Sequence, residues 1–362
     1  MTIEEIQHCN TIDSLIRQDR RFAIWRIPGD TIRFAMQSSG SARLFYRIEE
    51  LDEQCGYVIA PFHPSEELPI VLIQPDTFEI PNNIYSVREE FLFHLDEKDI
   101  PSIFILRRNY MEAFERFIAP LREKTFDKLV LSRNLILRRD WEFSTAVAFF
   151  KACQQYRHSY VYLCHTPETG TWLGSTPEII LSGENGSWQT VALAGTQPLQ
   201  NGELPTEWDD KNREEQAIVA GYIRKQLQAL DIKPDETDPH PVHAGALSHL
   251  KSDFSFSIPD NKRLGDLLKR LHPTPAVCGL PKEESYRFIL ENEGYDRRYY
   301  SGFIGWIDPE KRSDLYVNLR CMNIFPSHFI LYAGGGLLAS SERISEWQET
   351  EAKMQTMKRL IE

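Results

Sequence analysis

Residues 299–362 read YYSGFIGWIDPEKRSDLYVNLRCMNIFPSHFILYAGGGLLASSERISEWQETEAKMQTMKRLIE. Three strand-like runs, 299–306, 315–324 and 329–333, follow one another, and a long helix over 342–360 closes the chain. Upstream, helices are predicted over 111–122, 144–154, 207–230 and 262–271, and strands over 128–137 and 159–165. Residues 174–181 and 190–194 read as a strand pair across the turn SGENGS. Helices and antiparallel strands are thus interleaved without a βαβ rhythm, which favours α+β over a doubly wound sheet. Residues 1–100 hold short strand-like runs, 22–27 and 56–60, joined by Pro-rich and acidic connections such as PFHPSEELP. A boundary near 97–102 divides a strand-rich part, 1–102, from the remainder, 103–362.

The chain of 362 residues suits one large domain or two closely packed subdomains. Its formal net charge of −12 does not invite nucleic acid or an anionic membrane. A polyanionic small molecule would need local cations, from Lys, Arg or a metal, to outweigh that field. The six cysteines have irregular spacings and form no C-x-x-C pair, so they read as buried free thiols of a reducing cytosol. The N-terminus MTIEEIQHCNTI has no apolar signal core, and no apolar run approaches the roughly 20 residues of a membrane span. The expectation is a cytoplasmic protein. No G-x-G-x-x-G, P-loop, G-x-S-x-G or zinc-ligand spacing appears.

Four constellations carry chemistry. In EWQETEAK, Glu346, Glu349 and Lys353 share one helical face. That is a solvated face with an i,i+4 pair, or carboxylates for Mg²⁺, which takes one or two of them and keeps waters. The glycine-rich AGGGLLASS before it reads as a turn where backbone and ligand approach closely. In DKNREEQ, Lys211 and Glu215 are spaced as a surface salt bridge. Glu178 in GSTPEIIL is either a strand-edge carboxylate facing water or a partly desolvated acid with a raised pKa. Lys128 heads the apolar run KLVLSRNLIL, where it either snorkels to solvent or enters the core as a usable base.

The order of these elements, DKLVLSR, GSTPEIIL, LAGT, DKNREEQ, LSHLKSDFSF, LHPTPAVCGLP, YYSGFIGW, LRC, YAGGGL and EWQETEAK, resembles the chorismate-utilising enzymes over roughly 103–362. That family comprises isochorismate, salicylate, anthranilate and aminodeoxychorismate synthases. The resemblance implies a large α+β sandwich of antiparallel sheets in two subdomains, with helices outside and the active site in a central cleft. It implies Mg²⁺ as cofactor and chorismate as substrate, with 103–362 as the catalytic region. By the same resemblance Lys128 is the base that activates water and Glu178 the acid that protonates the departing hydroxyl. Glu215 and Glu349 would bind Mg²⁺, supported by Glu346. Gly195, Thr196, His249, Ala276, Arg320, Gly334 and Lys353 would contact the substrate. Anthranilate and aminodeoxychorismate synthases carry Gln in place of Lys128, and the latter carries Lys where this chain has Ala194. Salicylate synthases tend to have Thr at the position of Ala276. These identities favour the reaction that stops at isochorismate. A salicylate synthase, or a non-catalytic dicarboxylate- or Mg²⁺-binding module, is the alternative. Gln216 and Asn212 depart from the family pattern beside the metal glutamate. A monomer or weak homo-oligomer is expected.

Overall fold

A computed structural model describes residues 3–81, 101–244, 247–258 and 263–362. The predicted 97–102 boundary lies largely outside these residues, as does the first residue of the predicted 262–271 helix. Two antiparallel sheets form the frame. The first has eight strands, in the order Gly279–Leu280, Lys128–Arg138, His328–Leu337, Cys321–Ile324, Gly170–Thr176, Tyr160–Thr166, Arg21–Arg26 and Ile32–Gln37. The second runs Asp235–Glu236, Leu247–Ser257, Ser187–Pro198, Ile179–Glu184, Arg312–Val317, Phe303–Ile307, Gly56–Ala60, Ile70–Ile73 and Arg43–Phe45. His240–Ala244 also pairs with Leu247–Ser257.

Between the sheets lies a largely aromatic core that includes Trp25, Tyr160, Tyr162, Trp172 and Tyr332 from the first sheet and Tyr57 and Tyr316 from the second. Each such side chain contributes about 1.5–3 kcal/mol by leaving water, and phenol oxygens find partners, as in Tyr57–Tyr160 at 2.9 Å. The helices are α1 (Ile3–Arg17), α2 (Ile103–Arg122), α3 (Thr145–Gln155), α4 (Asp210–Gln228), α5 (Leu264–Leu271), α6 (Lys282–Asn292) and α7 (Arg343–Ile361). α1, α3 and α7 cover the outer side of the first sheet, and α4 and α5 that of the second. The α+β sandwich with outer helices is therefore as expected.

Two predicted strands divide, and the division builds the site. The run 174–181 leaves the first sheet at Thr176 and enters the second at Ile179. Pro177 cannot donate to a ladder, so pairing stops there. The run 315–324 makes the reverse crossing, from Arg312–Val317 in the second sheet to Cys321–Ile324 in the first. At that crossing Arg320 takes a left-handed φ of +47°. The two crossings lie side by side: Ser175 N donates to Arg320 O at 3.0 Å, and Val317 N to Glu178 O at 2.9 Å.

Other bounds shift. The last strand continues four residues past 333, so Gly334–Gly336 lie in a strand and not in a turn. The 299–306 strand begins only at Phe303, and α2 begins eight residues before 111. Residues 21–73, within the part read as strand-rich, supply strands to both sheets. Five cysteines are buried thiols outside any disulfide, but Cys55 is exposed, against expectation. Among the described residues no helix is long and apolar enough to cross a membrane.

Candidate active site

The paired crossings deliver Glu178 and Arg320 to one cavity between the sheets. Glu178 is 2% exposed and accepts a hydrogen bond from Thr274 Oγ1 at 3.3 Å. Burial pushes its pKa up to about 7, although Lys128, Thr274, Arg320 and Lys353 pull the other way. The water-facing alternative for Glu178 is thereby excluded.

Lys128 does not snorkel. Its side chain is fully buried, with Nζ 2.9 Å from Glu215 Oε1. That approach is an ion pair whose angles do not make a hydrogen bond, so Nζ retains unused donor capacity. The Lys128 strand pairs with the glycine strand, Ser132 opposite Gly334 and Val130 opposite Gly336. A methyl group on Gly336 would lie 2.1 Å from Glu215 Oε1 and 2.7 Å from Lys128 Cε. Only hydrogen fits there, which is why glycine interrupts a strand at this point.

Glu215 and Lys211 on α4 do not form the predicted surface pair. Glu215 turns to Lys128, and Lys211 Nζ crosses to Glu346 Oε1 on α7 at 2.5 Å. Glu346 is 1% exposed, so the face of α7 that carries Glu346 and Glu349 is not a solvated one. The predicted Glu349–Lys353 pair does form, at 2.6 Å, and Lys353 also donates to Gly334 O at 2.9 Å. Burial would raise Glu349, but the Lys353 and Lys211 charges outweigh it and hold its carboxyl low. Burial and the Glu349 charge push Glu346 up. A methyl group on Gly335 would lie 3.2 Å from both Glu346 Oε2 and Glu349 Oε1.

Opposite these carboxylates is a cationic receptor. Arg320 Nη2 lies 2.7 Å from His249 Nε2, and His249 Nδ1 lies 2.7 Å from Gly195 O. A carbonyl only accepts, so the proton is assigned to Nδ1 and Nε2 accepts from the guanidinium. Burial and then the Arg320 charge depress His249 to about 3, keeping it neutral. Arg320 Nη1 is buried without a partner. A desolvated guanidinium with a free nitrogen suits a carboxylate. Gly195, at φ +75°, marks a bulge where its strand meets α4, and Asn212 Oδ1 accepts from Thr196 N at 2.8 Å.

The cavity is thus lined by Glu178, Gly195, Thr196, Glu215, His249, Ala276, Arg320, Gly334 and Lys353. Lys128, Glu346 and Glu349 flank it beside the glycines. A wider cleft of about 850 Å³, lined from α4, α5 and α6, gathers no such set. Two neighbours were not anticipated. Thr274 belongs to LHPTPAVCG, where its contact with Glu178 leaves no mark in sequence. Tyr300 lines the cavity from a turn that was read as strand. The two departures are accounted for locally: Asn212 ties α4 to Thr196, while Gln216 turns to Ser252 Oγ at 2.9 Å, away from the cavity.

Among the described residues no three His, Cys, Asp or Glu side chains form a ready-made metal cage. The donor set nevertheless fits Mg²⁺, which takes oxygen ligands, few of them from protein. Glu346 Oε2 is buried without a partner and, with Glu349 Oε1, borders the space over Gly335.

Residues 94–362 match the family described as chorismate binding enzyme. Isochorismate synthase MenF of Bacillus subtilis is 30% identical over 257 residues, covering 69% of this chain and 54% of that protein. Isochorismate synthase EntC of Escherichia coli is 28% identical over 239 residues, 64% of this chain and 61% of that protein. The match therefore spans little more than half the length of these relatives. In fold, the chain resembles MenF, the menaquinone-specific isochorismate synthase of Escherichia coli, with a TM-score of 0.77 at 22% identity, over 97% of this chain and 91% of that one.

Proposed function

The chain belongs to the chorismate-binding enzyme family, and from that premise we propose that it is a Mg²⁺-dependent enzyme that isomerises chorismate to isochorismate. One observation carries the reading: a buried carboxyl held near neutrality, Glu178, lines a cavity that the buried Lys128 flanks beside Gly336 and that Arg320, with its unpartnered Nη1, also lines. A binding module has no use for the first two together.

Lys128 takes a proton from water as the oxygen attacks ring carbon 2. The ring double bonds shift, and the carbon 4 hydroxyl departs with the proton of Glu178. With a pKa near 7, Glu178 holds that proton for a useful part of the time at neutral pH. Arg320 and Lys353 receive carboxylate, and His249 orients the guanidinium without adding charge. Glu349 and Glu215, supported by Glu346, would hold Mg²⁺, which when bound supplies charge neutralisation and positioning of a substrate carboxylate. Ala276, small and on the cavity wall, places no hydroxyl beside the ring. The same acid and base run the reaction backward with roles exchanged.

Incubation of the purified chain with chorismate and Mg²⁺, followed by chromatography, should give an equilibrium mixture with isochorismate and no change in the presence of EDTA. Salicylate and pyruvate formed without a partner enzyme would overturn this assignment in favour of the lyase; inert chorismate would overturn the enzyme reading. We expect the protein to work in the cytoplasm, as a monomer or weak homo-oligomer, in menaquinone or siderophore biosynthesis.

A further inference from the structure

The strand that carries Lys128 has an edge with almost no neighbour. Gly279–Leu280 pairs with it at Leu129 and Lys128, Cys278 O accepts from Val130 N at 2.7 Å, and beyond that no described strand lies alongside. Buried backbone groups on such an edge still need partners. For Val130 O and Ser132 N an ion pair supplies them. Arg297 Nη2 donates to Val130 O at 2.9 Å, while Glu293 Oε1 accepts from Ser132 N at 2.7 Å and Ser132 Oγ at 2.8 Å. Carboxylate and guanidinium are joined by two bonds of 2.6 and 2.7 Å. The remaining nitrogen, Nη1, donates to Val277 O at 2.7 Å, on the segment whose Ala276 and Val277 line the cavity. Glu293 and Arg297 are 6% and 2% exposed, and the guanidinium sits over the Phe62 ring.

We propose that Glu293 and Arg297 are positioning residues for the reaction: the pair stands in for a missing strand and locks the Lys128 strand to the Ala276–Val277 wall. This rests on reading Lys128 as the base. Stability alone does not call for the pair, since well-packed apolar residues replace buried ion pairs at little cost. Apolar residues cannot, however, bond three backbone groups on two separate segments. The register extends the effect. Ser132, held by Glu293, lies opposite Gly334, whose carbonyl receives Lys353. One brace therefore sets the base, the wall and the glycine strand together, the sub-ångström order that acid–base chemistry requires.

Arg297→Lys keeps the charge beside Glu293 but cannot reach both carbonyls with one nitrogen. In the full chain it should lower kcat for chorismate at least tenfold with KM within threefold, and speed amide exchange in 128–134 and 274–279 but not elsewhere. A merely stabilising pair would lower the melting temperature and leave kcat per folded molecule unchanged; that result overturns the proposal. Should Arg297→Lys fail to fold, Ser132→Ala decides: a severalfold loss of kcat at unchanged KM supports the brace, and wild-type kcat overturns it. Wild-type protein inert toward chorismate overturns the isomerase reading instead, and the exchange rates then judge the brace alone, with unaltered exchange at 128–134 counting against it.

Discussion

Glu178 shows how one residue trades stability for chemistry. Its folded pKa, near 7, lies above the usual carboxylate value because burial penalises the charge. The native state therefore binds the proton more tightly than the unfolded chain does. The associated stability, on the order of 3 kcal/mol, is present in full below about pH 4.5 and is lost as pH rises through about 7. Glu178→Gln carries no charge to bury. It should abolish turnover yet melt above wild type at pH 8.5 and close to it at pH 5, as followed by circular dichroism. Equal melting curves at both values would contradict the cause assigned here. Lys128→Ala should also abolish turnover with the fold intact; a near-wild-type rate would remove it from the chemistry. The identities of both groups were legible because each sits in a distinctive run. Their partners were not: Thr274, Glu215 beside Lys128, and Lys211 beside Glu346 meet across elements far apart in sequence.

At the scale of elements, the glycine strand and α4 make opposite predictions for the same substitution. Gly336→Ala must displace Glu215 and Lys128, so it should cost about 1–3 kcal/mol by overpacking and eliminate turnover. Gly221→Ala on α4 meets nothing within 4 Å and should stabilise by about 0.5–1 kcal/mol through helix propensity and a less flexible unfolded chain. Thermal melts and a chorismate assay on the two variants test both statements. The existence of most strands and helices could be read from periodicity. Where a strand changes sheet could not, because alternation of apolar residues reads the same on either side of the crossing. Pro177 was the only local sign, and Asn318–Arg320 carries none. AGGG was misplaced as a turn because glycine more often marks a turn than a strand that must lie flush against carboxylates.

For the molecule as a whole, a chain of net charge −12 still places Arg320 and Lys353 in the lining of one cavity, with Lys128 beside it. Glu349→Gln leaves Lys353 without its carboxylate partner and removes a proposed Mg²⁺ ligand, so calorimetry should show metal affinity reduced at least tenfold. Unchanged affinity would exclude Glu349 as a ligand. The N-terminal strands predict a second whole-molecule result. Arg21–Arg26 and Gly56–Ala60 extend different sheets, and Trp25 and Tyr57 fill the space between them. A fragment covering 103–362 would expose a sheet edge on each layer and half of the aromatic interior, so it should aggregate on expression. Sequence gave residues 1–102 no role because their contribution lies in what they pack against, and no motif records that. The paired crossings carry a mechanical meaning too. Two strands threaded through both layers act as rivets, so the layers cannot slide past one another without tearing the Glu178 carboxyl from the guanidinium of Arg320. Admission of a ligand must then come from movement at the rim, with the two plates staying fixed.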